Sequence, residues 1–185
     1  MTASISTDKF DIMSGESLPH MFAHMKQLAA AFLTNSDSTS VKTPSSILSE
    51  AWVRAAETVK DGSKTEPVDE RLSLANALYG VLRDHAQQMR DASELESGLV
   101  PISLSMIDDL VQSHDGPAFE INMLQLDESM VKFRNSYPDH AQLLQLYCFS
   151  GMSITECAVA LKLSHRTAER YWHFSRAWMN RDLTK

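Results

Sequence analysis

The sequence predicts an all-α fold of two small helical bundles joined by a linker. Apolar side chains recur every three or four residues through each long segment, which is the period of an amphipathic helix. No segment shows the strict alternation of apolar and polar residues that marks a strand. Glycines and prolines gather between residues 98 and 117. The predicted domains are a mobile tail (1–16), a helical domain (17–92), a linker (93–117) and a second helical domain (118–185).

Three helices are predicted in the first domain. The first runs over 18–33 and carries an apolar stripe. Thr43 and Pro44 start the second, because threonine caps free backbone N–H groups and proline is tolerated at the first helical position. This helix continues to Val59, and a long third helix covers 69–92. Three amphipathic helices with short connections predict a bundle.

The second domain contains the most informative stretch of the chain, from Pro138 onward. Ser153, followed three residues later by Glu156, is the pattern of a capping box at a helix start. Leu163 is the apolar residue of the next turn, and Ser164 is a suitable N-cap for a further helix. Two short helices joined by a tight turn are the pattern of a helix-turn-helix.

The last helix of this motif has distinct inner and outer faces. Its predicted inward stripe consists of Ala168, Trp172, Ser175 and Met179. The second helix of such a motif enters the DNA major groove, where arginine can grip guanine or a phosphate. The predicted DNA-binding residues are Ser164, Arg166, Thr167, Glu169, Arg170 and His173. An ordinary helical hairpin with a solvated polar face is the alternative interpretation.

Charge is unevenly distributed along the chain. The net charge is −7, yet basic side chains outnumber acidic ones from Pro138 onward. The acidity therefore belongs to the N-terminal part. This asymmetry favours DNA contact at the C-terminal end and protein contact at the other end.

Three short motifs lie between Phe149 and Leu183: a Ser-x-x-Glu cap, a Ser-x-Arg-Thr opening of the last helix and a closing Arg-Ala-Trp. With these motifs, the stretch resembles region 4 of RNA polymerase sigma factors. Within these it resembles the extracytoplasmic-function (ECF) type, in the branch abundant in planctomycetes. Residues 18–33, 44–55 and 74–87 resemble successive helices of region 2. The resemblance covers most of the chain, in the family order.

This resemblance implies a cytoplasmic transcription initiation factor that binds core RNA polymerase and double-stranded promoter DNA, with an anti-sigma factor as a further partner. The last helix would read the promoter −35 element. The segment corresponding to the polymerase-binding part of region 2 contains Leu48, Glu50, Trp52 and Arg54. Alternatively, Trp52 is a core residue and Glu50 and Arg54 form one solvated pair a helical turn apart.

Promoter opening is where the chain departs from this family. Close relatives carry arginine runs along the third helix for contacts with the −10 element, whereas this chain offers mainly Arg83 and Arg90. Two other functions therefore stay open. One is a helix-turn-helix regulator outside the sigma class, and the other is a degenerate sigma-like protein that sequesters a partner.

The sequence offers no site for catalysis, for a metal or for a cofactor. No nucleophile motif or clustered carboxylates can be placed, and an enzyme is not predicted. His20 and His24 lie one helical turn apart without a matching ligand pair. Cys148 and Cys157 fall on apolar helical faces, which predicts core packing instead of a disulfide. Neither a signal peptide nor a membrane span is predicted, so no membrane partner is expected.

Overall fold

Seven α-helices form nearly all of the computed structural model, which describes residues 17–34, 42–59, 67–92, 101–102 and 121–184. The helices are α1 (Ser17–Thr34), α2 (Pro44–Val59), α3 (Pro67–Ala92), α4 (Met123–Ser136), α5 (Pro138–Ser150), α6 (Ile154–Ala160) and α7 (His165–Leu183). The predicted all-α class is confirmed. We call α1–α3 the N-terminal half and α4–α7 the C-terminal half.

The N-terminal half is a three-helix bundle that packs α2 against α1 and α3. Its centre is formed by Met25, Phe32, Ile47 and Leu78, each almost fully buried. The start of α2 follows the predicted cap, since the Thr43 hydroxyl accepts a hydrogen bond of 3.2 Å from the backbone N–H of Ser46. Local sequence rules therefore set the position of this helix.

A two-residue pair of strands is an addition to the predicted fold. Pro101–Ile102 (β1) pairs antiparallel with Ile121–Asn122 (β2). The sequence predicted no strand, and a ladder of two residues is too short to produce a recognisable alternation. The rest of the predicted linker (93–117) and the predicted tail (1–16) lie outside the described residues.

An aromatic cluster holds α4, α5 and α7 together in the C-terminal half. Phe133 of α4 is fully buried, and its ring centroid lies 4.9 Å from that of Trp178 and 5.5 Å from that of Tyr137. On the neighbouring turns of α5 and α7, the rings of His140 and Tyr171 stack with centroids 3.8 Å apart. Ring pairs at such distances add to the stabilisation from burial alone.

The two halves pack directly against each other, which the sequence did not predict. Helix α3 contacts α4 and α5, and α1 also contacts α5. The buried apolar residues of both halves form one continuous cluster. The division at residues 92 and 118 stays a prediction, but in this structure the two bundles share a core.

Lowering the pH from about 7.5 to about 5.5 should lower the free energy of unfolding. Burial lowers the pKa of His24, His85 and His140 below the ordinary histidine value. The unfolded chain therefore takes up these protons at a higher pH than the folded chain does. Stability present above a pH of about 6.5 is lost as the pH falls through the lower, folded-state pKa values. Chemical denaturation at the two pH values measures the effect.

His85 provides a matched test of this pH dependence. It is 4 % exposed, and neither of its ring nitrogens has a hydrogen-bond partner among the described residues. His85→Leu should reduce the difference in unfolding free energy between the two pH values. His173→Ala, at an exposed position, is the control. A wild-type protein equally stable at both pH values would contradict the prediction.

Candidate nucleic-acid interface

The first helix of the motif begins with the predicted capping box. The Ser153 hydroxyl accepts a hydrogen bond from the backbone N–H of Glu156, and the Glu156 carboxylate accepts one of 2.8 Å from the backbone N–H of Ser153. The Glu156 carboxylate also accepts a hydrogen bond of 2.7 Å from the Ser153 hydroxyl. The hydrogen bonds that it accepts from the Ser153 backbone and side chain lower its pKa, because they stabilise its charged form. The box therefore fixes where α6 begins.

The turn after α6 closes by two backbone hydrogen bonds. The N–H of Leu163 donates to the carbonyl of Ala158 at 2.8 Å, and that of Lys162 donates to the carbonyl of Val159 at 3.2 Å. This is the Schellman arrangement, which usually has glycine at its left-handed position. Here Lys162 occupies that position with a φ of 55°. Leu163 packs against the core and anchors the turn, as its apolar side chain predicted.

Replacing Lys162 with glycine should raise the free energy of unfolding by about 0.5–1 kcal/mol, because a side chain at positive φ is strained. Thermal or chemical denaturation measures this change. Lys162→Ala removes the same charge but keeps a Cβ atom at positive φ, so it should not stabilise the protein. If the two variants had equal stability, strain at this turn would not be the cause.

The second helix of the motif, α7, begins at the predicted N-cap. The backbone N–H of Thr167 donates to the Ser164 hydroxyl at 3.1 Å, and the two hydroxyl groups lie 2.7 Å apart. Ser164 and Thr167, which both belong to the predicted DNA-binding set, are therefore hydrogen-bonded to each other. They order the first turn of α7, where backbone N–H groups point outward and favour an anion such as a phosphate.

The inner face of α7 agrees with the predicted register. Ala168, Ser175 and Met179 are fully buried, and Trp172 is 8 % exposed. The indole of Trp172 packs on Tyr147 of α5, with ring centroids 4.1 Å apart. Ser175 satisfies its buried hydroxyl by donating to the carbonyl of Tyr171 at 2.7 Å. These contacts fix which side of α7 faces solvent.

The outer face of α7 presents the predicted DNA-binding side chains. Arg166, Glu169, Arg170 and His173 are exposed, and Thr167 is half-buried. In the described parts of the chain, Arg166 and Arg170 form no ion pair. Glu169 instead has its carboxylate 3.5 Å from the Nδ1 atom of His165, which is charged only when protonated. His165 is not among the predicted DNA-binding residues, although its position four residues before Glu169 was a signal for this pair.

The predicted polymerase-binding residues of α2 lie on the surface of the N-terminal half. Leu48 and Trp52 are half-buried and pack against the core, and the Trp52 ring lies 5.6 Å from that of Phe22. Glu50 accepts a hydrogen bond of 2.7 Å from Arg54. The ion pair of the alternative interpretation is therefore present, and polymerase binding by these residues stays a prediction.

Arg54 also reaches α3, which the sequence did not reveal. Its guanidinium donates to the Asp84 carboxylate at 2.6 Å. Arg83 donates to the other oxygen of the same carboxylate. These two arginines lower the pKa of Asp84, although desolvation by burial opposes them. Asp84 thereby connects the two helices through one shared carboxylate.

The two predicted −10 contacts both lie beside acidic residues on α3. Arg83 is bonded to Asp84, and Arg90 has its Nε atom 3.8 Å from the Asp91 carboxylate. Both arginine side chains are about half exposed, so water screens these pairs and their contribution to stability is small. Each pair still reduces the positive charge that α3 presents to a phosphate.

Other site types can be assessed within the described residues. Cys148 and Cys157 are buried free thiols, and burial raises the pKa of Cys157 to about 12. The described side chains form no group of three or more potential metal ligands. None of the described helices is both long and apolar enough to span a lipid bilayer.

A capped helix-turn-helix whose second helix exposes arginines defines a class of DNA-binding protein. A family model described as ECF sigma factor matches residues 10–185. The chain therefore belongs to the ECF sigma factor family, a family of transcription initiation factors and not of enzymes. No curated protein and no solved structure matches the chain.

Proposed function

We propose that this ECF sigma factor binds core RNA polymerase through its N-terminal half and the promoter −35 element through α7. The main support is the exposed N-terminal part of α7, where Arg166 in the first turn and Arg170 in the second stand outside any ion pair of the described structure. An arginine at such a position can bind guanine bidentately, and the helix N-terminus attracts a phosphate. The sequence resemblance further favours the planctomycete-abundant branch, a cytoplasmic location and an anti-sigma factor as a partner.

Leu48 and Trp52 form the apolar part of the proposed polymerase-binding surface on α2. Both side chains are half-buried, so each can contact a partner without leaving its own bundle. Glu50 and Arg54 flank them and form an ion pair of 2.7 Å. An apolar centre with a polar, solvent-accessible rim is the usual composition of a protein–protein interface.

In vitro transcription with core polymerase tests this proposal. Core polymerase supplemented with this protein should produce run-off transcripts from a cognate promoter, and Arg166→Ala should reduce the yield. The matched control is Arg181→Ala, which removes the same charge from an exposed position near the other end of α7. Core polymerase that binds this protein but gives no transcript would favour a sequestering protein.

A sequestering role is the second candidate, since acidic residues pair with Arg83 and Arg90 and reduce the positive charge that α3 presents. Promoter capture requires basic side chains along this helix. A third possible outcome identifies a helix-turn-helix regulator outside the sigma class. Such a protein would bind DNA specifically but would not bind core polymerase in a pull-down.

A further inference from the structure

The ion pairs of α2 and α3 form one continuous network across the crossing of these two helices. The Glu50 carboxylate lies 3.4 Å from the ammonium group of Lys42 and 2.7 Å from the guanidinium of Arg54. Arg54 also reaches Asp84 of α3 at 2.6 Å, and Asp84 in turn pairs with Arg83. Basic and acidic groups alternate along this network. It therefore joins the proposed polymerase-binding surface to a predicted −10 contact.

The Asp84 carboxylate is fixed from the α2 side. The Nη1 atom of Arg54 donates to its Oδ2 atom at 2.6 Å, which leaves the Oδ1 atom for Arg83. Arg83 donates to Oδ1 twice, from Nε at 3.1 Å and from Nη2 at 2.8 Å. Burial alone would raise the pKa of this carboxyl, but the hydrogen bonds from Arg83 and Arg54 outweigh burial and hold the pKa below its ordinary value. Asp84 is therefore charged at neutral pH and binds both guanidinium groups.

The contact between Arg83 and Asp84 requires the arginine side chain to bend around its own helix. Successive residues of an α-helix point about 100° apart, so neighbours in sequence do not normally face each other. Because Arg54 holds Asp84 toward α2, the Arg83 guanidinium that bonds Asp84 is also drawn toward α2. The Arg83 side chain is still 44 % exposed. A change of rotamer would release it into solvent without disturbing the core.

From this geometry we propose that Asp84 is a positioning residue that withholds Arg83 from promoter DNA. The inference rests on the proposed function, in which α3 provides the −10 contacts. A phosphate must displace the Asp84 carboxylate before it can bind the Arg83 guanidinium, and each missing phosphate contact lowers the affinity for DNA. One acidic side chain thus weakens −10 binding, in addition to the small number of arginines on α3.

Asp91 provides the comparison within the same helix. It also follows an arginine directly, but its carboxylate lies 3.8 Å from the Nε atom of Arg90, which is beyond hydrogen-bond distance. Asp91 accepts a hydrogen bond of 2.8 Å from Gln87 of α3. Within the described residues, no ion pair joins Asp91 to α2. Removing this carboxylate changes the charge of α3 by the same amount as removing Asp84, but it releases no hydrogen-bonded guanidinium.

Binding of the whole chain to a fluorescein-labelled strand of about twelve thymidines tests the proposal by fluorescence anisotropy. Asp84→Asn keeps the shape of the side chain and removes its charge. It should bind this strand about fivefold more tightly at roughly 0.1 M salt, the gain for one added phosphate contact. Asp91→Asn is the matched control and should change the affinity by less than about twofold. An equal gain in both variants would show that only net charge matters and would overturn the proposal.

Arg83→Ala determines whether the gain depends on the arginine. In the wild-type background it should change the affinity by less than about twofold, because Asp84 already holds the guanidinium. In the Asp84→Asn background it should abolish the whole gain. A gain that survives without Arg83 would contradict the role of Asp84. So would a fivefold loss in the wild-type background, a measurement that does not depend on the folding of Asp84→Asn.

The salt dependence of binding gives a readout that a purely structural role of Asp84 would not change. On a single strand, each added phosphate contact makes the slope of log affinity against log salt more negative by about 0.7. Asp84→Asn should show this change, whereas Asp91→Asn and the double variant with Arg83→Ala should keep the wild-type slope. An unchanged slope in Asp84→Asn would mean that no cation has been released.

Failure of the proposed function would give a different pattern of results. If the Asp84→Asn gain depends on Arg83 but the protein does not bind core polymerase in a pull-down, Asp84 does withhold Arg83 from nucleic acid and the sigma function is refuted. If the protein binds core polymerase and supports transcription but Asp84→Asn gives no gain, only the role of Asp84 is refuted.

Discussion

Replacing Trp172 with alanine should lower the free energy of unfolding by about 3–5 kcal/mol, the usual range for deleting a large buried aromatic side chain. The indole is 8 % exposed and packs on Tyr147, so its removal leaves a cavity between α5 and α7. A loss of this size is a large share of the total stability of a small domain. Denaturant titration followed by circular dichroism measures it.

The neighbouring residue provides the control for this substitution. His173 lies on the outer face of α7, and His173→Ala should change the unfolding free energy by less than about 0.5 kcal/mol. Because the residues are adjacent, both variants alter helix propensity at nearly the same place. A Trp172→Ala protein as stable as wild type would mean that the indole contributes little to the packing of α7.

Arg166→Ala should weaken binding to the cognate site roughly five- to hundredfold and relax specificity at one base pair. This corresponds to ~1–3 kcal/mol, the range for a bidentate contact between arginine and guanine. Arg170 lies one helical turn after Arg166. Arg170→Ala should weaken binding to all sequences alike, as expected for the loss of a phosphate contact. Selection of binding sites from a random pool, followed by affinity measurements, distinguishes the two effects.

The salt dependence of binding provides an independent check on the number of phosphate contacts. With few cations on α7, a plot of log affinity against log salt should have a slope of about −3 to −4, equivalent to three or four phosphates. Arg170→Ala should reduce this slope by about one. Arg181→Ala, some four turns from Arg166, should change neither the slope nor the selected motif. A wild-type protein that enriches no motif would exclude α7 as the reading helix.

Local signals account for the parts of the fold that the sequence predicted correctly. Three correctly predicted features each depend on residues within one or two helical turns. They are the capping box at Ser153, the N-cap at Ser164 and the buried stripe of α7 that contains Trp172. The physical causes are hydrogen bonding at helix ends and burial of one helical face. Both can be read from residue spacing without knowledge of the partner helix.

Contacts between distant residues could not be predicted in this way. Tyr79 and Asp127 are 48 residues apart, and His24 and Cys148 are 124 apart. Each of these side chains is also compatible with a place within its own bundle. The left-handed conformation of Lys162 could not be predicted for a different reason: glycine is the usual sequence signal for such a turn, and this turn has none. The DNA-binding role of α7 stays a prediction, because the structure of one chain shows which side chains of α7 are exposed but does not show what binds them.

The Arg54 ion pairs have a consequence for the evolution of this family. One guanidinium bonds both Glu50 and Asp84 and so joins α2 to α3. Without the arginine, Glu50 still pairs with Lys42 and Asp84 still pairs with Arg83, but the ion pair that links these two helices is lost. Related sequences that lack the arginine should therefore also lack at least one of the acids. Positions 50, 54 and 84 are expected to co-vary, and a charge-reversed trio is the arrangement that would preserve the pairing.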